Sequence, residues 1–73
     1  MKLTKEQLNE FIIAVELNLT LYKDWRKGQC YFNVLHRLHS ELANEIRGSY
    51  IDPFYDDSKI ELFLTYISDE TRL

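Results

Sequence analysis

The sequence predicts an all-α fold, a small compact bundle of about four short helices, and three observations support this prediction. Apolar side chains recur every three to four positions along most of the chain, which is the spacing of one helix face. Helix-start signals precede several of these segments. No strand-like alternation of useful length occurs, and no Asn-Gly or Asp-Gly pair is present to form a tight hairpin. With 73 residues, the chain is predicted to form one helical domain over residues 1–73.

The first helix is predicted from about Lys5 to about Leu19, with Tyr22 as its latest end. Thr4 followed by Gln7 forms a capping box, in which each side chain accepts a hydrogen bond from the other residue's backbone N–H. The apolar face that follows is predicted to enter the core. Its members are Leu8, Phe11, Ile12, Val15, Leu19 and Tyr22.

Asp24 is predicted to cap a second helix that runs from Trp25 to about Leu38. Trp25 is expected to anchor the core, since tryptophan is largely buried on average. Gly28 lies on the apolar face of this helix, where glycine costs about 1 kcal/mol relative to alanine. We therefore expect another helix to approach closely at Gly28. The remaining members of that face are Tyr31, Phe32, Val34, Leu35 and Leu38.

A short third helix is predicted next, from about Glu41 to Arg47, with Ser40 as its cap. Gly48 suits the left-handed position that follows a helix end. After it, Asp52 and Pro53 predict a cap and then a proline at the first position of a single helical turn.

The last helix is predicted to start at a second capping box, formed by Ser58 and Glu61, and to run to about Ser68. Residues 69–73 after it are polar and expected to fray. The side chains that this helix is predicted to bury are Ile60, Phe63, Leu64 and Ile67.

Composition and charge indicate a globular protein of a reducing compartment. Hydrophobic residues make up 45% of the chain and the net charge is only −3, a balance that disordered chains lack. Cys30 is the single cysteine, so an internal disulfide is excluded. A signal peptide is not recognised, and the longest apolar run, residues 11–15, is too short to cross a bilayer. We therefore expect a cytoplasmic protein without a membrane contact.

The first helix carries a second apolar stripe opposite its main face. Ile13, Leu17 and Leu21 follow one another at intervals of four residues, whereas a surface helix ordinarily has one apolar face. One interpretation is that this helix is central, with helices 2 and 4 packed on different sides of it. The other is an exposed patch that binds a partner protein or a second copy of the chain.

The second helix carries a polar stripe that allows two interpretations, a solvated outer face or a recognition face. Residues 22–47 hold five basic and three acidic side chains, a net of +2, while residues 48–73 hold two basic and six acidic ones, a net of −4. Nucleic-acid binding through this stripe and Lys27 is the less favoured possibility, because it needs several phosphate contacts. The members of the stripe are Arg26, Gln29, Asn33, His36 and Arg37.

Catalytic, metal and cofactor sites are not predicted from the sequence. His36 and His39 can share a helix face, but a zinc site needs three or four ligands and Cys30 lies on a different face. The acidic segment 52–61 lacks the turn glycine of a calcium loop. Neither a glycine-rich phosphate loop nor a nucleophile elbow occurs. We therefore expect a protein that is not an enzyme.

The aromatic side chains of the acidic segment also have two interpretations. Phe54 and Tyr55 are expected to plug one end of the bundle, because so small a core needs large apolar side chains. Alternatively, together with Tyr50, they form a loop that contacts a partner.

Three strings in the chain are distinctive: W-R-x-G-Q-x-x-F-N at 25–33, L-A-x-x-I-R-G at 42–48 and D-P-F-Y-x-D at 52–57. In these strings the chain resembles small proteins of tailed phages and prophages, over about residues 25–64. The resemblance implies a phage-borne accessory protein in the cytoplasm of a host cell. Such proteins commonly act by binding host proteins, which is an inference by association.

The sequence therefore predicts a non-enzymatic protein-binding module, an inhibitor or modulator of host machinery. The partner is a host or phage protein, and a homodimer through the first helix is a further possibility. The alternative is a nucleic-acid-binding protein that uses the polar face of the second helix. The candidate partner-binding residues are Arg26, Gln29, Asn33, Arg37, Ile13, Leu17 and Leu21.

Overall fold

Four α-helices follow one another in the structure, a computed structural model that describes residues 2–68. The all-α prediction is confirmed, and the tail predicted to fray at 69–73 lies outside the described residues. A short 3₁₀ helix, Asp57–Lys59, precedes the last α-helix. The α-helices are α1 Lys5–Leu21, α2 Lys27–Leu38, α3 Ser40–Ile46 and α4 Ile60–Ile67.

Helix α1 begins where the capping box predicts. The Thr4 hydroxyl oxygen accepts from the Gln7 backbone N–H at 3.1 Å, and the Gln7 side-chain oxygen accepts from the Thr4 N–H at 2.9 Å. Phe11 and Val15 are fully buried on the face that meets α2. Asn18 on the same face is also buried, and its amide donates to the Ala14 carbonyl at 2.7 Å, which satisfies the polar group.

Helix α2, and not α1, is the central helix of the bundle. It contacts α1, α3 and the 3₁₀ helix, and its buried residues lie on most of its circumference. The interpretation that α1 is sandwiched between two helices is therefore wrong. The second apolar stripe of α1 faces outward. In α2, by contrast, small residues let the neighbouring elements pack closely around the helix. The buried residues of α2 are Gly28, Cys30, Phe32, Val34 and Leu35.

The start of α2 differs from the prediction. The helix begins at Lys27 and Asp24 does not cap it, because residues 22–25 form a turn closed by the Trp25 N–H on the Tyr22 carbonyl at 3.1 Å. Instead, the Gly28 N–H in the first turn donates to a carboxylate oxygen of Asp57 at 2.8 Å. A cap that comes from 29 residues further along the chain leaves no local sequence signal.

Gly28 is closely approached, as its place on the buried face predicts. The neighbour, however, is a loop and not a helix. A Cβ atom at this position would lie 2.1 Å from the backbone oxygen of Pro53. Trp25, predicted to anchor the core, is half-buried at the core edge and stacks on Tyr22 with ring centroids 4.3 Å apart.

The segment after α3 is held by Asp52, which caps the turn at Pro53 as predicted. One Asp52 carboxylate oxygen accepts from the Gly48 N–H at 2.8 Å, and the other accepts from the Phe54 N–H at 2.9 Å. The bond to Phe54 is the predicted cap, and the Asp56 N–H closes one turn on the Pro53 carbonyl at 3.1 Å. The bond to Gly48 ties this turn to the end of α3. Gly48 has a φ of 76°, which confirms the predicted left-handed position after the helix. The predicted Ser40 cap is wrong, since α3 already includes Ser40.

The predicted capping box of Ser58 and Glu61 is also wrong. Asp56 takes the cap position and accepts from the Ser58 N–H at 3.0 Å, which starts the 3₁₀ helix. Helix α4 then begins at Ile60 and buries Phe63 and Ile67. The Ser58 hydroxyl, which would have capped the helix, instead donates to the Asp56 carboxylate at 2.6 Å.

An aromatic cluster forms the centre of the core. The Phe11 ring lies 6.1 Å from the Tyr31 ring and 6.2 Å from the Phe63 ring, between ring centroids. These contacts join α1, α2 and α4, while α3 contributes Leu42 and Ile46 to the same core. A contiguous core of this kind is what one small domain needs.

Candidate interaction surfaces

An exposed apolar surface lies along the outer face of α1. It consists of Ile13, Leu17 and Leu21, which are 66%, 59% and 63% exposed. We call this surface the outer stripe. The opposite face of α1 packs on α2 through Phe11 and Val15. Of the two interpretations of this stripe, the structure therefore bears out exposure, and binding stays a prediction.

The ends of the outer stripe carry opposite charges. Glu6 and Glu10, seven and three residues before Ile13, lie on the same helix face and are exposed. Beyond Leu21, the turn into α2 exposes three cations and one carboxylate, a net of +2. The four charged side chains of this turn are Lys23, Asp24, Arg26 and Lys27.

A depression of about 360 Å³ adjoins the basic end of the stripe. Leu21 lines it together with Tyr22 and Trp25, whose rings stack within 13° of parallel. The aromatic pair extends the apolar surface beyond the last turn of α1, so that the continuous surface is longer than the stripe alone.

The polar stripe of α2 is partly engaged within the chain itself. The Arg26 guanidinium donates to the Phe54 backbone carbonyl and lies 5.8 Å from the centre of the Tyr55 ring. The Gln29 side-chain oxygen accepts from the Arg26 backbone N–H at 3.4 Å. Asn33 is half-buried. The structure therefore does not gather these candidate residues into one free polar surface.

Arg37 and His36, the other two members of the polar stripe, are exposed. His36 stacks on the Phe32 ring with centroids 6.3 Å apart. Among residues 2–68, Arg37 is thus the one candidate of this stripe that is exposed and whose side chain makes no hydrogen bond. A single accessible arginine is a weak basis for binding a nucleic acid, which needs several phosphate contacts.

A second concave surface was missed by the sequence predictions. A cleft of about 470 Å³ opens between the end of α3, the middle of α2 and the loop before the 3₁₀ helix. Phe32 and Phe54 meet edge to face in its wall, with centroids 5.9 Å apart. Phe54 is half-buried there, as expected of a plug, but Tyr55 is 84% exposed, so the prediction that it plugs the bundle is wrong.

Charged groups line this cleft, and its acidic groups serve the fold of the loop. Asp52 binds two backbone N–H groups, and Asp56 accepts from both the hydroxyl and the backbone N–H of Ser58. The hydroxyl bond first, and the backbone bond next, lower the pKa of the Asp56 carboxyl below its ordinary value. Arg47 lies 5.6 Å from the centre of the Phe32 ring and donates to the Asn44 side chain at 3.2 Å. The cleft thus combines aromatic walls with charges of both signs.

Replacing Ser58 with alanine is expected to raise the pKa of Asp56 toward the ordinary value of 3.8, because the largest cause of its lowering is removed. A carboxyl whose pKa is lowered in the folded state stabilises that state above its unfolded pKa, and this contribution is lost as the pH falls through the folded pKa. The free energy of unfolding of the variant should therefore fall less than that of the native chain as the pH drops from the unfolded pKa of Asp56 to its folded pKa. Carboxyl-carbon NMR titration of Asp56 measures the shift, and an unchanged midpoint contradicts the prediction.

The described side chains offer little basis for a nucleophilic or metal site. Burial raises the pKa of the Cys30 thiol, and the charge of nearby Arg37 only lessens this effect. The thiol donates weakly to the Val15 carbonyl at 3.8 Å. A buried thiol of raised pKa is a poor nucleophile, since the thiolate is the reactive form. Within residues 2–68, no cluster of three or more His, Cys, Asp or Glu side chains is arranged to hold a metal ion.

Two surfaces therefore stand out by geometry, the outer stripe of α1 and the aromatic cleft. In the described part of the chain, every helix is too short or too polar to cross a bilayer. Comparison with protein families, curated proteins and solved structures finds no match to this chain.

Proposed function

We propose that this chain is a non-enzymatic protein-binding module that docks the outer stripe of α1 against an apolar helix face of a partner protein. One observation carries the proposal: three aliphatic side chains in one row are each more than half exposed on a helix whose other face is packed. Contiguous apolar surface of this kind marks interaction sites on soluble proteins.

Burial of the outer stripe alone provides only a limited driving force for association with a partner. Full burial of a Leu or Ile side chain contributes about 1.5–3 kcal/mol, so three side chains exposed to about 60% contribute on the order of 3–5 kcal/mol. Association itself costs about 4–15 kcal/mol. A stable complex therefore has to use neighbouring surface too, and the stacked pair Tyr22 and Trp25 beside Leu21 offers it.

We further propose that the partner is a host protein and that the chain is a phage-type accessory protein, an inhibitor or modulator of host machinery acting in the host cytoplasm. The support for this is the resemblance of the strings at 25–33, 42–48 and 52–57 to small phage proteins. The alternative, nucleic-acid binding through the polar stripe of α2, is weaker because Arg26 and Gln29 are engaged in the chain's own contacts.

Quantitative capture from a bacterial lysate tests the proposal. A variant with Ile13, Leu17 and Leu21 all replaced by glutamine is expected to lose the partner that the native chain retains. Glutamine keeps the helix propensity high, so the change removes apolar surface without weakening α1.

The matched control replaces three exposed apolar side chains outside the stripe with glutamine, and it should retain the partner. Circular dichroism checks that both variants fold. If the folded stripe variant captures the same proteins in the same amounts as the native chain, the outer stripe is not the binding surface. The control positions are Leu38, Tyr50 and Leu62, which are 45%, 75% and 49% exposed.

A further inference from the structure

We infer that the outer stripe also binds a second copy of this chain, with the two α1 helices antiparallel and related by a two-fold axis at Leu17. The inference rests on the same surface as the proposed function, the outer stripe, and the additional partner that it names is a second copy of the chain. Two properties of that surface carry the inference, the symmetry of its apolar row and the charges at its two ends.

The apolar row is symmetric about its middle residue. Ile13 and Leu21 each lie four residues from Leu17, and all three lie within the helix Lys5–Leu21. A two-fold axis through Leu17 brings the two Leu17 side chains together. It also places Ile13 of each copy against Leu21 of the other, over about 12 Å of helix. A two-fold interface has to be self-complementary in this way, since each patch meets itself.

The charges on the same face favour the antiparallel orientation. Glu6 and Glu10 lie on the same face toward the start of α1. The turn after Leu21 carries a net charge of +2 through Lys23, Asp24, Arg26 and Lys27. In the antiparallel pair, the acidic end of each copy lies over the basic turn of the other, and symmetry repeats this attraction. A parallel pair sets the two acidic ends side by side, which is repulsive.

The surface is free to make this contact. Each member of the row is at least 59% exposed, so no part of residues 2–68 covers it. The adjoining depression between Leu21 and Trp25 gives the end of the partner helix a recess to enter. The pair therefore buries more apolar surface than six aliphatic side chains alone.

The molar mass in solution provides the first test. Sedimentation equilibrium from about 10 µM to 1 mM is expected to show a mass that rises from 8.8 kDa toward twice that value. Leu17→Gln should weaken the association by about tenfold or more, because it removes both side chains on the axis. Leu62→Gln, at a comparably exposed site outside the stripe, should leave it unchanged. A mass that stays at 8.8 kDa throughout overturns the inference.

Cysteine pairing tests the orientation. Chains with Ile13→Cys and chains with Leu21→Cys, carrying tags of different size, are mixed and oxidised. A disulfide forms only where Cα atoms come within about 7 Å, so the antiparallel pair yields the mixed covalent dimer in excess over either homodimer. Predominance of the Ile13→Cys homodimer overturns the antiparallel arrangement. Cys30 is fully buried and does not compete.

Charge exchange gives an independent test. Glu10→Lys and Lys23→Glu should each weaken the association, and the two changes combined in one chain should restore it at least in part. If the double variant is as weak as the sum of the single changes, the end charges do not pair across the interface.

The outcomes separate this inference from the proposed function. A chain that remains monomeric while the folded stripe variant loses a host partner overturns the dimer and supports the proposed function. A dimer that is broken by Leu17→Gln, together with unchanged capture of host proteins by the stripe variant, supports the dimer and overturns the proposed function.

Discussion

Gly28→Ala is expected to lower the free energy of unfolding by about 3 kcal/mol, although alanine is the better helix former by about 1 kcal/mol. The added Cβ would lie 2.1 Å from the Pro53 carbonyl oxygen and 2.9 Å from a carboxylate oxygen of Asp57. Since the first of these atoms belongs to the backbone, relief requires the loop to move away from α2. That movement also breaks the bond from the Gly28 N–H to Asp57 and leaves a donor in the first helical turn unpaired.

Urea denaturation followed by circular dichroism measures this effect, and two further variants separate its causes. Lys27→Ala, at the neighbouring exposed position, should change the free energy of unfolding by less than about 0.5 kcal/mol. Asp57→Ala removes the cap without adding an atom at Gly28 and should cost about 1 kcal/mol. A Gly28→Ala variant that is as stable as the native chain shows that the loop does not press on α2.

The features that sequence reasoning located well depend on neighbouring residues. Thr4 and Gln7 lie three residues apart, so the start of α1 is visible in a short window of sequence. Gly48 follows Arg47, the C-cap of α3, and adopts the left-handed conformation that only glycine accepts without cost. In both cases the interaction that decides the structure lies within one helical turn.

The features that were missed depend on residues far apart in the chain. Asp57 caps Gly28 from a distance of 29 residues, while Asp24 lies in the turn 22–25 and does not cap α2. Nothing local marks α2 as the central helix either. Its packing on three neighbours becomes evident only when the positions of α1, α3 and the 3₁₀ helix are known.

The candidate surfaces also differ in whether they depend on residues that are near or far apart in the chain. The four-residue spacing of Ile13, Leu17 and Leu21 was readable from sequence, but whether a neighbour covers them is a question of tertiary packing. The cleft required residues from three separate segments. Phe32, Arg47 and Phe54 come from α2, the end of α3 and the following loop, so no single sequence motif predicts the cleft.

Phe11→Ala is expected to cost about 3–5 kcal/mol of folding free energy, whereas Ile13→Ala, only two residues away, should change it by less than about 0.5 kcal/mol. Phe11 is fully buried and its ring contacts those of Tyr31 and Phe63, so truncation leaves a cavity at the junction of three helices. Ile13 is 66% exposed and alanine suits a helix surface.

Because a domain of 73 residues has a total stability of about 4–11 kcal/mol, the Phe11 variant is expected to lose about a quarter or more of its stability. Thermal and urea denaturation at low protein concentration, where the chain is monomeric, measure both variants. Comparable losses for the two changes would mean that the outer stripe is part of the core. A loss for Ile13→Ala that appears only at high concentration has a different meaning, since coupling of stability to concentration arises when that side chain is buried against a second copy.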